Sequence, residues 1–302
     1  MRVQRVQEFA IGVFHGDAPW SVSDPAGLRN PVLTRNNVRD VPAAFVADPF
    51  AMRRDGTWFM FFEVMRADTA RGEIAVATSH DGWAWSYQRV VLAEPFHLSY
   101  PYVFEWEGDA YMIPETGEAN EVRLYRARSF PFEWEFVAPL LAGERFLDAS
   151  IFRHQGRWWL FTEASQRPAG ADAAVPHGTL RLYGAPELTG PWSEHPKSPV
   201  ISDDATIARP AGRVVSVDQK VIRFAQDCSG AYGLSVRAFE IMELTPDAYR
   251  EVPLGSAAML GPGRRSWNKG GMHHVDAHPV DSGWLAFVDG WTLRFVLWRR
   301  SA

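Results

Sequence analysis

The sequence predicts an all-β fold, a five-bladed β-propeller, and three observations support this. One supersecondary unit recurs along the chain, helix-forming patterns are nearly absent, and aromatic residues are many, with 13 Trp and 19 Phe in 302 residues. The recurring unit is a β-hairpin that returns at intervals of about 50 residues, which is typical of a propeller or a similar array. Its five copies cover residues 48–63, 100–115, 148–163, 209–226 and 274–289.

The first copy shows the plan of the unit. Asp48 opens a strand, Asp55-Gly56 forms the turn, and an aromatic strand returns to a second acid, Glu63. In four copies the closing acid lies 15 residues after the opening residue, and the copy at 209–226 is two residues longer. A shared spacing of this kind indicates one repeated hairpin.

The hairpin plan predicts where the polar residues gather. In an antiparallel pair the first residue of one strand lies opposite the last residue of the next, so Asp48 is expected beside Glu63 and Asp148 beside Glu163. The alternative, that these acids only mark strand ends at turns, weakens with each aligned copy. If the first strand of each blade is innermost, five opening residues converge at one end of a central channel. They are Asp48, Tyr100, Asp148, Arg209 and His274.

The repeat predicts a single domain over residues 1–302. The last strand-like run, 292–298, ends next to the chain terminus and leaves the fifth blade one strand short. An open sheet edge there favours aggregation. We therefore expect the run 5–14 to pair with 292–298 as the outer strand of blade five and to close the ring. The segment 166–177 reads as a surface loop near the funnel.

Composition excludes several classes of partner. The net charge is −5 and no basic stripe is present, so nucleic acid is not expected as a partner. No apolar run is long enough to span a membrane. The single cysteine, Cys228, forbids an internal disulfide and fits a reducing compartment. We expect a cytoplasmic protein with a glycan or another small molecule as its substrate. The oligomeric state is left open.

Several runs resemble the N-terminal domain of the glucosamine inositolphosphorylceramide transferases. They follow the family order along nearly the whole chain. These runs are N-P-V-L-T (30–34), F-V-A-D-P-F (45–50), H-L-S-Y-P-Y-V-F (97–104), Y-M-I-P-E (111–115), L-Y-R-A (124–127), W-W-L-F (158–161), G-P-W (190–192), A-Q-D-C (225–228), Y-R-E-V (249–252) and W-N-K-G-G-M-H-H-V-D (267–276).

The family is similar to five-bladed propeller glycosidases such as arabinanases and invertases. The resemblance implies a propeller that acts on or binds a carbohydrate, with three acids from different blades around the sugar and the first in a motif like A-D-P. Arabinanase-like enzymes have Asp at the start of blade two and Glu at the start of blade three. This chain has Tyr100 and Asp148 there. The three-acid arrangement therefore does not carry over intact.

Glycosyl transfer or hydrolysis needs one carboxylate as base or nucleophile and one carboxylic acid to protonate the leaving oxygen. We expect Asp48 to be the base or nucleophile, because Pro49 fixes the backbone beside it. Candidates for the acid are Glu115, Asp148 and Glu163. Crowded acids raise one another's pKa and keep a proton available near neutral pH.

The catalytic residues predicted from the sequence are Asp48, Glu115 and Asp148. For Glu63 and Glu163 the structural alternative, in which they only accept hydrogen bonds from a neighbouring blade, is preferred over a role as the catalytic acid. The residues expected to contact the substrate are Tyr100, Glu163, Arg209, Trp267, Asn268, His273, His274 and Asp276.

The run H-H-V-D-A-H (273–278) raises the question of a metal. On a strand, His274, Asp276 and His278 share one face. Three such residues span about 13 Å at 3.3 Å per residue, which disfavours joint ligation. No metal or other cofactor is expected. The Gly-rich basic loop 261–271 is equally consistent with a phosphate site and with a solvated connection.

Three functions remain open at this stage. The first is a glycosidase or glycosyltransferase-like enzyme with acids in the central funnel. The second is a sugar-binding propeller without catalysis. The third is a propeller repurposed for another acid-catalysed biosynthetic reaction, for which a deep, mainly aromatic pocket is expected.

Overall fold

A computed structural model of the chain describes residues 2–165 and 178–298. Five separate four-stranded antiparallel sheets account for its strands, and they form the blades of a β-propeller. The predicted fold class is confirmed. Within these residues the helical turns are two short 3-10 segments, Arg35–Asn37 and Gly117–Ala119. The insert 166–177 lies outside the described residues.

Blades one to three each run from the innermost strand outwards in chain order. Blade one contains β3 (Ala43–Arg54), β4 (Thr57–Arg66), β5 (Gly72–Ser79) and β6 (Ser86–Leu92). Blade two contains β7 (Ser99–Trp106), β8 (Asp109–Glu115), β9 (Glu121–Ser129) and β10 (Glu133–Ala142). Blade three contains β11 (Arg145–His154), β12 (Arg157–Ser165), β13 (Leu180–Ala185) and β14 (Ser193–Glu194).

Blade four follows the same order, and blade five joins the two ends of the chain. Blade four contains β15 (Val215–Val217), β16 (Lys220–Asp227), β17 (Ser235–Leu244) and β18 (Tyr249–Pro253). Blade five contains β19 (Val275–Val280), β20 (Gly283–Trp298), β1 (Arg2–Ala18) and β2 (Ser21–Ser23).

The two inner strands of blade one are joined by the turn that the sequence marks. Asp55 and Gly56 both have positive φ, 50° and 77°. Two consecutive left-handed residues make the tight turn that matches the twist of a hairpin, and Gly adopts this conformation without a steric penalty. The hairpin therefore returns the chain to the end of the channel at which it started.

The opening residues of blades one to three lie in β-bulges, which corrects the expected pairing. Ala47, not Asp48, is paired with Glu63, and the register shifts before Phe50. The same shift makes Leu147 the partner of Glu163. Asp48, Tyr100 and Asp148 have positive φ, 54°, 45° and 49°. A bulge re-aims the side chain and N–H of its extra residue, here towards the neighbouring blades.

The N-terminal strand completes blade five. Its pairing with β20 runs from Arg2 opposite Trp298 to Gly16 opposite Trp284. The strand is third in the sheet rather than outermost as expected, because β2 covers its outer edge. The run 292–298 is also no separate strand but the continuation of the hairpin strand β20.

The core lies between adjacent blades. Apolar residues of blades one, two and three form one buried cluster that includes Phe50, Phe61, Tyr102, Ile113 and Leu160. Because neighbouring sheets bury these side chains against each other, the inner strands and the channel ends are held in fixed positions. No helix of the described residues is long and apolar enough to cross a membrane.

Candidate active site

Polar side chains gather at the end of the channel where the first strands begin, and we call this cluster the acid funnel. It contains Asp48, Glu63, Glu115, Asp148, Glu163, Arg209, Gln226, His273 and Asp289, all of them buried.

Hydrogen bonds from one blade to the next organise the funnel. The backbone N–H of Asp48 donates to Asp289 Oδ2 at 3.0 Å, and that of Tyr100 donates to Asp48 Oδ2 at 3.2 Å. The N–H of Asp148 donates to Glu115 Oε2 at 3.3 Å. The bulges make this possible, because they free these N–H groups from the strand ladders. Glu115 and Asp289 thus accept N–H bonds from a neighbouring blade, the kind of role that the sequence analysis prefers for Glu63 and Glu163.

Arg209 joins three acids on one side of the funnel. Its Nε lies 2.6 Å from Asp148 Oδ2, and its terminal nitrogens lie 3.2 Å from Glu115 and 3.7 Å from Glu163. Gln226 Nε2 donates to the same Asp148 oxygen at 2.7 Å. Two side-chain donors on one oxygen favour the ionised form of Asp148.

His273 joins two acids on the other side. Its Nδ1 is hydrogen-bonded to Asp289 Oδ1 at 2.6 Å, and its Nε2 lies 3.7 Å from Asp48 Oδ1. The ring also stacks on Phe9 of the N-terminal strand, with centroids 4.7 Å apart. His273 is therefore held in place between a carboxylate that orients it and the carboxylate that opens blade one.

The described residues of the funnel hold more acids than bases, six carboxyl groups against Arg209 and His273. Burial, which His273 offsets only in part, raises the pKa of Asp48 to about 7. Burial also raises the pKa of Asp148 to about 7 against the opposing effect of Arg209. For His273, burial alone lowers the pKa, but Asp289 outweighs it and raises the pKa above the ordinary value. The funnel thus exchanges protons near neutral pH.

Glu63 lies at the edge of the funnel and differs from the other acids. Burial and the neighbouring acid Asp48 raise its pKa well above the ordinary value. Its Oε1 accepts no hydrogen bond and lies 3.6 Å from His97 Nε2. Burial lowers the pKa of His97. Both shifts favour the neutral form of their group.

Tyr100 and His274 fill the channel below the funnel rather than line its mouth. The Tyr100 hydroxyl accepts the N–H of Gly212 at 2.6 Å and lies 2.8 Å from Ser150 Oγ. His274 Nε2 is bonded to the Pro49 carbonyl at 3.0 Å, and its ring packs edge-on against Tyr100. Burial lowers the pKa of His274 to about 4, so its ring is neutral.

A second charged cluster lies further along the channel and contains Asp276. Arg213 Nε lies 2.7 Å from Asp276 Oδ1, and His278 Nε2 lies 2.7 Å from Oδ2. Arg213 also donates to the carbonyls of Ala51 and Val103. Asp276 therefore connects blades one, two, four and five and lies apart from the funnel. We call Arg213, Asp276 and His278 the lower cluster.

Trp267 and Asn268 lie in the core instead of at the mouth. Trp267 belongs to the buried cluster of blades four and five, and its ring packs edge-on against Phe14. The Asn268 amide is buried and its donor reaches only Met272 Sδ at 3.5 Å. In the adjoining basic loop Arg265 pairs with Asp24 at 2.6 Å. These positions argue against the expected contact of Trp267 and Asn268 with a substrate.

Sequence reasoning gave no role to several residues that build the site. Asp289 and Gln226 close two of the repeated hairpins, so the repeat marks their positions although not their partners. Arg213 carries no signal in the repeat. Tyr232, whose ring lies beside Arg209 and His273, is in a loop between two strands.

Asp48, His273 and Asp289 are the residues that fit a cation best. Each offers one ligand atom, and these atoms lie within 4.8 Å of one another. Such a donor set suits a small divalent ion. The hydrogen bond between His273 and Asp289 already explains why the groups lie close together.

Comparison with known proteins agrees with this architecture. Solved structures with the same fold include a β-1,2-mannobiose phosphorylase from Listeria innocua, with a TM-score of 0.63, 11% identity and coverage of 92% of this chain and 96% of that one. Another is Zg3597, a family 117 glycoside hydrolase from Zobellia galactanivorans, with a TM-score of 0.54, 13% identity and coverage of 93% and 90%. At these identities the likeness shows the fold alone.

Sequence relatives extend over most of the chain. Glucosamine inositolphosphorylceramide transferase 1 of Oryza sativa subsp. japonica is 36% identical over 300 residues, and that of Arabidopsis thaliana is 33% identical over 304 residues. Both alignments cover 93% of this chain but only 40% and 39% of the relatives' length. The model of the family described as glucosamine inositolphosphorylceramide transferase 1, N-terminal, matches residues 4–291. The chain therefore belongs to this N-terminal-domain family, as its resemblance in sequence implied.

Proposed function

We propose that this propeller is a carbohydrate-active enzyme that makes or breaks a glycosidic bond in the acid funnel. The observation that carries the proposal is a pair of buried carboxyl groups, Asp48 and Asp148, each with a pKa raised to about 7 by burial and each beside its own basic side chain, His273 and Arg209. Perturbed pKa values of this kind cluster at catalytic sites. The funnel also lies at one end of the channel of a fold shared with glycoside hydrolases.

The donors around the two acids favour distinct roles. Asp148 receives Arg209 and Gln226 on one oxygen, and Arg209 cannot release its proton, so Asp148 is the ionised member. Asp48 faces His273, a group that gains and loses protons near neutral pH. Asp48 is then the general acid and Asp148 the base, which reverses the roles expected from the sequence.

The reaction balances with these two groups. Asp48 gives its proton to the leaving glycosidic oxygen as the bond to the anomeric carbon breaks. The incoming hydroxyl, from water or from an acceptor sugar, bonds to that carbon and loses its proton to Asp148. Positive charge on the ring is stabilised by the surplus of carboxylates in the funnel.

The relatives support a sugar as substrate. The names of the plant relatives describe a transferase of glucosamine, and structural neighbours are described as glycoside hydrolases and as a mannobiose phosphorylase. All of these names refer to chemistry at a sugar. The proposal covers both hydrolysis and transfer, because the chain spans only 40% of the length of the rice relative.

Turnover of p-nitrophenyl glycosides tests the proposal and the roles. The panel contains glucosides, galactosides, mannosides, arabinosides and glucosaminides, and the variants are Asp48→Asn and Asp148→Asn. Nitrophenolate leaves without protonation, so Asp48→Asn should retain much of its activity on such substrates and lose activity on the matching disaccharide. Asp148→Asn should lose activity on both the nitrophenyl glycoside and the disaccharide. Equal loss in both variants on both substrates contradicts the assigned roles.

A binding function without turnover is the second candidate. It is favoured by the extent to which Glu115, Asp148 and Asp289 are already engaged in bonds between blades. Saturation-transfer difference NMR with the corresponding methyl glycosides separates the two. Binding by the wild-type chain with no turnover of any glycoside in the panel supports the second candidate and overturns the first.

A further inference from the structure

Tyr232 is an exposed aromatic residue at the rim of the funnel. It lies between β16 and β17 of blade four, and 37% of its surface is exposed. The guanidinium of Arg209 lies 5.3 Å from its ring centroid. The His273 ring approaches at 5.3 Å in an edge-on arrangement. Tyr232 thus contacts the partner of Asp148 and the partner of Asp48 at the same time.

Both ends of the chain hold the backbone of Tyr232 in place. Gln7 of β1 donates its side-chain N–H to the Tyr232 carbonyl at 3.1 Å. Trp291 of β20 donates its indole N–H to the next carbonyl, that of Gly233, at 2.9 Å. Within the loop, Leu234 N–H donates to the Asp227 carbonyl at 3.0 Å. A loop tied at three points presents its side chain in a defined place, which lowers the entropy lost when a ligand binds.

Comparison with another exposed aromatic residue shows what is special about this position. Phe132 of blade two is exposed to nearly the same extent, 36%, and its ring also carries an arginine, Arg89, at 4.9 Å. It precedes the outer strand of its blade and contacts no residue of the funnel. Exposure and the arginine contact are therefore common to both residues, whereas only the Tyr232 ring of this pair lies beside Arg209 and His273, the partners of the proposed base and acid.

We propose that Tyr232 is the platform on which the pyranose ring of the substrate stacks. This inference rests on the proposed function and deepens it. A Tyr ring offers an apolar face to the C–H face of a sugar and a hydroxyl to its polar edge. A ring placed there lies next to His273 and Arg209, so that its anomeric carbon reaches Asp48 and Asp148. Pyranosides with a continuous C–H face are the substrate class that this surface fits.

Turnover and binding by four proteins test the platform. They are the wild type, Tyr232→Ala, Tyr232→Trp and the matched control Phe132→Ala. The probes are the methyl pyranosides for NMR and the p-nitrophenyl pyranosides for kinetics. Loss of one stacking contact weakens binding by about three- to tenfold. Tyr232→Ala should raise KM by that factor and leave kcat within about twofold, whereas Tyr232→Trp and Phe132→Ala should match the wild type.

Gln7→Ala gives a second readout because it changes no group that touches the sugar. Loss of the bond to the Tyr232 carbonyl loosens the loop, so KM should rise by about twofold with kcat unchanged. Thermal melting of each variant checks that the fold is intact. A variant that lowers kcat together with its melting temperature points to a structural role and counts against the platform.

The outcomes separate this inference from the proposed function. If the wild type binds and turns over a pyranoside but Tyr232→Ala behaves like the wild type, the platform is wrong and the function stands. An equal loss in Phe132→Ala also overturns the platform. If the wild type neither binds nor converts any pyranoside of the panel, both proposals are overturned.

Discussion

The channel of this propeller contains two buried clusters of charge, and they are built on opposite plans. The acid funnel surrounds Arg209 and His273 with six carboxyl groups. The lower cluster gives Asp276 two basic partners, Arg213 and His278. Both clusters join several blades. If both served only to hold the blades together, a similar ratio of acids to bases is expected in each. The excess of acids in the funnel is therefore not explained by a structural role alone.

The pKa values express this difference. Burial alone raises the pKa of an acid, but at Asp276 the Arg213 charge and the His278 contact outweigh burial and bring the pKa well below the ordinary value. At Asp48 burial dominates and the pKa is about 7. Asp276 thus keeps its charge at neutral pH, whereas Asp48 and Asp148 gain and lose protons there. Fixed charge suits a structural tie, and exchangeable protons suit chemistry.

Backbone geometry points in the same direction. Asp48, Tyr100 and Asp148 have positive φ at the bulges, a conformation that residues other than Gly adopt at an energetic penalty. Such residues cluster at functional sites. No non-Gly residue of the lower cluster has positive φ. The two ends of the channel therefore differ in strain as well as in charge.

Removal of Arg213 should have the largest effect on stability. Arg213→Met removes the guanidinium from Asp276, which has no exposed surface and keeps only His278 and the Ala51 N–H as partners. It also removes a donor from the carbonyls of Ala51 and Val103. Breaking a buried ion pair at one partner destabilises by about 3–5 kcal/mol. Urea unfolding at pH 7 measures the loss.

Arg209→Met is the matched variant in the funnel. Its acids already take up protons near neutral pH, so they neutralise more easily once the guanidinium is gone. We expect a smaller loss of stability, about 1–3 kcal/mol. Equal losses in Arg209→Met and Arg213→Met contradict the contrast between the two clusters.

Asp48→Asn and Asp148→Asn should stabilise the protein at pH 7–8. An acid whose folded-state pKa is raised to about 7 contributes stability below pH 4 and loses it as the pH rises through 7. The amide removes that loss, so each variant gains on the wild type by about 2–4 kcal/mol between pH 4 and pH 8. Thermal melting across this range measures it.

Asp276→Asn serves as a control, because its effect on stability at pH 7 should have the opposite sign. The lowered pKa of Asp276 means that its contribution is present above pH 4 and fades as the pH falls through the folded-state value. This variant should therefore be less stable than the wild type at pH 7. If Asp48→Asn or Asp148→Asn is also less stable than the wild type at pH 7, the replaced acid has a structural role.

The repeat predicted the fold and much of the funnel because the hairpin unit is visible in one dimension. Closing residues recur at a fixed spacing, and the aromatic strands between them mark the blades. The one-residue register error at Asp48 arose because a bulge leaves no trace in that spacing. Bulged residues look like paired ones until the partner strand is placed.

The two adjacent histidines show a second limit. The spacing of the repeat aligned His274 with Asp48, yet His273 is the residue that reaches Asp48 and Asp289. Neighbouring residues of an extended chain point in opposite directions, so an error of one position exchanges a site residue for a channel-filling one. Contacts of Arg213 with three other blades depend on the closed ring and could not be predicted from the chain.

The neutral layer between the clusters should respond to mutation without a pH dependence. Tyr100→Phe removes the hydroxyl that accepts the Gly212 N–H and contacts Ser150. A buried N–H left without an acceptor destabilises by about 1–3 kcal/mol. Urea unfolding should give the same loss at pH 5 and pH 8. A loss that grows with pH shows that Tyr100 instead acts through the acid above it.

Glu63→Gln should have the smallest effect and identifies which acids of the funnel carry charge. Burial and Asp48 raise the pKa of Glu63 well above the ordinary value, and burial lowers that of His97, so both shifts favour a neutral carboxyl facing a neutral imidazole. Replacing that carboxyl by a neutral amide of the same shape should change stability by less than about 0.5 kcal/mol. Urea unfolding at pH 6 and pH 8 provides the measurement. If the variant loses 1 kcal/mol or more at pH 6 only, Glu63 and His97 form a charged pair. His97 then balances one acid of the funnel, and the contrast in charge with the lower cluster is weaker than argued above.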